Sequence, residues 1–304
     1  MRFKICALIT VFFILSSSVQ AAMTSTNFEI RFDSLNSGGV DNSTSTNYSM
    51  YDTLGEQGTG YSSSTNYTIH AGYRQSDEYI PTLSFSLGAQ ENDVNTAFTA
   101  FSDLGKTVTV AITTGFSTGT YIGVVENVGL NQFMATGKIT DITGLVITVD
   151  KWDGSSNLMS PGPLGGDDFV YRMESHAASF GNLSTNSAKT SSARTEVSTN
   201  ATNGYSLKIQ SDDYLMISPT AHIIDVQDGS VTLGSEEYGA RVFGSTATST
   251  GLDFAVTSTL REIQKSVTTA TDDRIVMVYK ITITPATPAG RYTQTVRYLL
   301  TANF

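Results

Sequence analysis

Apolar and polar residues alternate with a period of two along much of this chain. Leu83, Phe85 and Leu87 do so first in the longer segment, followed by Val108, Val110 and Ile112 against Thr107, Thr109 and Thr113. Leu145, Ile147 and Val149 make another row, and Tyr205, Leu207 and Ile209 alternate with Ser206, Lys208 and Gln210. Ile275, Met277, Tyr279, Ile281 and Ile283 extend the pattern over a longer run. In the closing stretch Tyr292, Val296, Tyr298, Leu300, Ala302 and Phe304 share one face, while Thr293, Thr295, Arg297 and Thr301 share the other. Leu299 is the one apolar residue left on that outer face. Side chains of a strand point alternately to its two faces, so this period predicts strands with one buried side. Gly, Asn and Asp between the rows supply the turns. One segment reads differently: Thr259 to Val267, with Thr259 and Glu262 at capping-box spacing, predicts a single short helix. The expected fold class is all-β.

Nearer the N-terminus the alternation comes in copies. STNFEI (Ser25 to Ile30), STNYSM (Ser45 to Met50) and STNYTI (Ser64 to Ile69) recur at about twenty residues, the range of repeat architectures. Asp33-Ser34-Leu35 answers Asp52-Thr53-Leu54 between them. Phe28, Ile30 and Phe32 fall on one side of the first copy, and Tyr67, Ile69, Ala71 and Tyr73 on one side of the third. Each copy is read as a strand, and the aromatics as one contiguous ladder. A polar break from Arg74 to Tyr79, closed by Pro81, ends the repeats.

The expected layout follows. Residues 1–21 are a signal peptide, 22–79 the triple repeat, 80–175 a central β region, and 176–304 a C-terminal antiparallel β-sandwich. Within the central region, from Gly115 to Arg172, the strands become short and Gly-punctuated, which suits a small barrel-like insertion. The leader reads from Arg2 and Lys4 through the apolar Ile5 to Leu15 to Val19-Gln20-Ala21, with cleavage expected after Ala21. No other apolar run is long enough for a transmembrane helix. Cys6 is the only cysteine and leaves with the leader, so no disulfide, thiolate metal site or cysteine nucleophile is expected afterwards. The formal charge of −10 becomes −12 on losing Arg2 and Lys4, an acidic balance that argues against nucleic acid as a partner.

Candidate chemistry is sparse. Gly115 to Gly119 spells G-F-S-T-G, but a nucleophile elbow needs a helix next, and TYIGVV reads as a strand. His70, His176 and His222 show no paired ligand spacing. Asp167-Asp168, Asp212-Asp213 and Asp272-Asp273 are acidic pairs without a partner motif. Asp150 with Asp153-Gly154, and Asp225 with Asp228-Gly229, come nearest to a calcium loop, yet each also reads as a hairpin turn. Trp152, the single tryptophan, is either a core plug or a platform for a sugar ring. No catalytic, cofactor-binding or metal-binding residue is assigned.

The S-T-N-[FY]-x-[IM] copies, closing on Ile69-His70-Ala71-Gly72-Tyr73, resemble a repeat of secreted bacterial surface proteins that runs S-x-N-Y-x-L and ends A-G-[FY]. Thr199-Asn200-Ala201, Gly204-Tyr205, Glu237-Tyr238-Gly239 and Pro288-Ala289-Gly290-Arg291-Tyr292 make the C-terminal part similar to the β-sandwich of bacterial envelope proteins. The resemblance implies an extracellular, non-enzymatic surface protein and carries no catalytic residues. The expectation is thus a secreted, cell-surface structural or adhesive protein that needs no cofactor. Its partners would be further copies of itself or envelope glycan. A carbohydrate-binding module or carbohydrate-active enzyme is the alternative, and an outer-membrane barrel ending at Phe304 the second.

Overall fold

The computed structural model describes residues 81–249 and 251–304, together with the backbone of six short strands before them. It divides into two compact units, Met1–Ile80 and Pro81–Phe304. The chain is all-β, with several antiparallel sheets.

In the first unit β1 (Met23–Thr24) pairs with β2 (Glu29–Ile30), β3 (Ser43–Thr44) with β4 (Ser49–Met50), and β5 (Gly60–Ser63) with β6 (Thr68–Ala71). The register repeats: Thr24 faces Glu29, Thr44 faces Ser49, and Ser63 faces Thr68. The S-T-N-[FY] tetrapeptides, read from the sequence as parts of strands, fall between the paired strands and lie outside the described residues. The pairings form three separate two-stranded sheets among the described residues. Phe28, Tyr48 and Tyr67, the expected aromatic ladder, lie outside the described residues.

The second unit opens with β7 (Leu83–Ala89), then β8 (Asn95–Ser102), β9 (Thr107–Val110), β10 (Tyr121–Glu126), β11 (Phe133–Thr143), β12 (Val146–Val149), β13 (Asp153–Gly154) and β14 (Phe169–Arg172). The pairing β10-β14-β8-β9-β12-β11 returns to β10, so six strands close a ring, with β13 laid against β11. Closure leaves the ring without an edge strand. A register shift between Ile139 and Asp141 bends β11, as a bulge does at the corners of small barrels. Phe98, Val110, Ile122, Val124, Ile147, Val170 and Trp152 fill the interior. Trp152 packs on Phe101 at 5.0 Å between ring centroids and donates from Nε1 to the Ser102 carbonyl at 3.2 Å. Its apolar ring fills the core while its one polar atom is satisfied, which is the plug reading.

The remaining strands are β15 (Lys189–Thr199), β16 (Tyr205–Ser211), β17 (Met216–Ser218), β18 (Ala221–His222), β19 (Glu237–Phe243), β20 (Arg261–Ser266), β21 (Ala270–Thr282) and β22 (Val296–Ala302). One sheet runs β19-β21-β15-β7 and a second β20-β16-β22. Tyr205, Leu207 and Ile209 face Ile275, Met277, Tyr279 and Ile281 in the core between them. The back of the larger sheet is buried too: Val276 and Val278 pack with Tyr121, Val125, Met134 and Met173 of the ring. That sheet is thus a shared wall.

Two expectations change. Thr259–Val267 is not a helix; its centre is β20, paired antiparallel with β16. A register shift at Leu207/Lys208 turns both Ile263 and Gln264 inward, and Gln264 accepts a hydrogen bond from Thr195 Oγ1 at 2.9 Å. Strand pairing and burial there outweigh one capping-box signal. Phe304 does not join the inner row: it is 60% exposed, because β22 ends at Ala302. The rest of that strand keeps the expected faces, with Leu299 exposed.

Candidate functional site

The sandwich is incomplete along one side. β7 ends the larger sheet and β22 ends the smaller one, and the two edges face each other across the interior, with Phe85 and Tyr298 6.4 Å apart between ring centroids. Ala89 belongs to the core between the sheets, and Leu83, Phe85 and Leu87 share its face of β7. They are nonetheless 44%, 39% and 37% exposed. On β22 the matching inner residues Val296, Tyr298, Leu300 and Ala302 are only half-buried. The smaller sheet has three strands against four, so no strand covers the β7 row.

The hydrogen bonds fix which backbone groups are free. Ala89 exchanges bonds with Ser175 on the outer side of β7, whereas Gln90 donates inward to Ser192. By the alternation of a ladder, Leu83, Phe85 and Leu87 also point their N–H and C=O groups outward. On β22, Asn303 bonds with Asn203 and Gly204, and Thr295 with Asp212, which leaves Val296, Tyr298, Leu300 and Ala302 pointing outward. Neither row has a strand partner among the described residues.

This open side leads into a cleft of about 1090 Å³ between the sheets. Phe180, Leu183, Tyr292 and Val296 line it, with Tyr279 and Tyr298 at its floor, their hydroxyls 2.8 Å apart. Burial pushes the phenols of Tyr238, Tyr279 and Tyr298 far above the ordinary value, so they stay neutral hydrogen-bonding groups at any physiological pH. His176 and Arg291 lie on the wall with the amides Asn182 and Gln294; the surface is otherwise apolar or hydroxylic. Such a surface can hold an extended chain by backbone hydrogen bonds and apolar contact.

The residues singled out in the sequence do not converge here. Ser117 is exposed in a turn, its carbonyl accepting from Thr120, and the next element is β10, a strand. His222 stacks on Tyr214 at 4.5 Å and His176 is exposed. The acidic residues hold loops. Asp168 accepts from the backbone of Asn127, Leu164 and Gly165, Asp212 from that of Thr295, and Asp213 from that of Tyr214. Asp272 accepts from Ser198 Oγ and Asp273 from the Tyr205 hydroxyl. Asp167 adds no bond to this group. In the first calcium-like pair, Asp150 and Asp153 are occupied by Arg274 and Lys151. In the second, Asp228 caps the Ser230 N–H and Asp225 is buried beside the hairpin, where desolvation pushes its carboxyl up to about 6 against the opposing pull of His222. No group of three or more His, Cys, Asp or Glu that could hold a metal ion occurs among the described residues.

The structure adds two charged nodes where the shared wall meets the ring. Arg274, 1% exposed, bonds Glu196 and Asp150 and lies 3.6 Å from Asp153. Arg194, equally buried, sits over the Tyr121 ring at 3.3 Å. Lys280 donates to Asp253 at 2.9 Å and to the Leu130 carbonyl at 2.7 Å. One sequence signal pointed to them: Arg274 and Lys280 interrupt an apolar strand at the parity of Val276 and Val278. A strand alternating Arg, Val, Val, Lys on its second face has a half-apolar back, and such a face is covered. Comparison with known protein families, curated proteins and solved structures found no match for this chain.

Proposed function

We propose that this is a secreted cell-surface structural or adhesive protein that acts through contacts of its β surfaces. The observation that carries the reading is the open side of the sandwich, where an apolar row and two strand edges stand unpaired among the described residues. Soluble proteins usually blunt such edges with charge, proline or a covering loop. Here β7 has no charged residue and β22 has only Arg297. The Arg2-to-Ala21 leader pattern supports secretion, and the S-T-N-[FY] repeats support a place at the cell surface.

Two observations favour this reading over the alternatives. Trp152, the residue that would stack on a sugar, is 8% exposed inside the ring. A membrane barrel needs strands of about 9–11 residues and an apolar exterior around a polar lumen. In this ring β9, β12 and β14 have four residues each, and the interior is the apolar side.

The test uses the chain from Ala22 onward in plain buffer. Light scattering and electron microscopy at rising concentration should show assembly, and a glycan array run in parallel should stay blank. A strict monomer with glycan hits would reverse the proposal.

A further inference from the structure

We infer that the open side receives the third hairpin, Gly60–Ala71, of a second copy of this chain, whose β6 adds to the free edge of β22 and lies over Leu83, Phe85 and Leu87. The inference rests on the contact-forming function proposed above and names its partner.

The acceptor dictates the chemistry of its occupant. Outward N–H and C=O groups at Val296, Tyr298, Leu300 and Ala302 require an extended backbone. The exposed row on β7 requires apolar side chains at every second position of it. A charge between those positions would be tolerated only on the outward face.

The third repeat has that pattern. Tyr67, Ile69, Ala71 and Tyr73 alternate with Thr68, His70 and Gly72, and the stretch contains no carboxylate and no Lys or Arg. The four residues of β6, Thr68–Ala71, fall within it. The second repeat breaks its row at Asp52, whereas the first keeps its row and carries Glu29 and Arg31 on the alternate, outward face. The third hairpin also has the longest strands of the three, four residues each against two. A two-stranded hairpin is marginal alone and gains from a third strand. In its own chain β6 pairs with β5 as a separate sheet, and β22 stays without an outer neighbour among the described residues. The contact-forming function proposed above makes a second copy the occupant, and docking within one chain is an outcome of the test. Because donor and acceptor are different surfaces, the contact is heterologous and propagates copy after copy.

A one-strand contact falls below the roughly 1,200 Å² of standard interfaces, so the test traps it covalently. The chain from Ala22 contains no cysteine. Two single variants are made: His70→Cys, and a cysteine on the outward face of β22 at Arg297, Leu299 or Thr301 in turn. These acceptor positions are exposed, so folding is preserved. Mixed under mild oxidation, a donor and an acceptor variant should give a disulfide-linked dimer at one of the three positions, several-fold more than either alone. The double variant at that position should give a ladder of oligomers. Ile69→Asp placed in the donor should abolish both. Absence of any mixed dimer, or a double variant that closes within one chain, overturns the inference. If the wild-type chain assembles by light scattering without this cross-link, the contact function stands and the inference fails. If the chain stays monomeric, both fail.

Discussion

Replacing Arg274 with methionine tests how the ring is held to the sandwich. The side chain is 1% exposed and its guanidinium meets Asp150, Asp153 and Glu196, which are 28%, 15% and 13% exposed. Methionine keeps much of the volume and removes the only cation bonded to both Asp150 and Glu196 among the described residues. Removing one partner of a buried pair strands the other charges, which costs about 3–5 kcal/mol. The pH dependence carries the sharper signature. Desolvation raises the Asp150 carboxyl, but hydrogen bonds from Arg274 and from the Lys138 and Lys151 backbone outweigh it and hold the group below the ordinary range. A folded-state pKa below the unfolded value contributes stability above about pH 4 that is lost on further acidification. Arg274→Met forfeits most of that contribution, so its deficit should be full at pH 7 and narrow below about pH 4. Urea titrations can follow Trp152 fluorescence, which reports on the ring, beside circular dichroism, which reports on every strand. In the wild type the two should coincide; in Arg274→Met the fluorescence transition should come at lower urea. A loss under about 1 kcal/mol at pH 7, or a deficit unchanged by pH, would refute the reasoning.

Asp225→Asn should stabilise the protein at neutral pH. A carboxyl raised from its ordinary value to about 6 favours the fold when protonated, and that stability is lost as pH rises through 6. The amide mimics the neutral form and should restore up to about 3 kcal/mol at pH 7.5 and little at pH 4; equal melting shifts at both pH values would contradict this. Gly204→Ala should destabilise by more than about 2 kcal/mol, since φ is +74° and a Cβ would come within 2.1 Å of the Ser266 carbonyl oxygen between β16 and β20. Gly119→Ala is the control: φ is +87° with nothing within 4 Å, so its loss in thermal melts should be about 1 kcal/mol.

Local periodicity made the all-β class legible, because a period of two is a property of neighbouring residues alone. The rows at Tyr205, at Ile275 and at Val296 could be read without knowing what they pack against, as could the outward Leu299. The same locality misled at Thr259 to Val267, where a capping signal yielded to an edge of β16 more than fifty residues earlier. Phe304 kept the parity of its row and still points to solvent, since parity assigns a face without assigning a neighbour to cover it. Burial of Arg194, Arg274 and Lys280 depends on a second layer behind β21, which the half-apolar Arg274, Val276, Val278 and Lys280 face signals without saying which strands supply it. The open side is the clearest case. Leu83, Phe85 and Leu87 read as an ordinary buried row, and only the count of strands in the opposing sheet shows that none of its strands lies over them. Which face a residue takes was decided by its immediate sequence; whether that face meets protein or water was decided by strands distant along the chain, because burial is a property of pairs of surfaces.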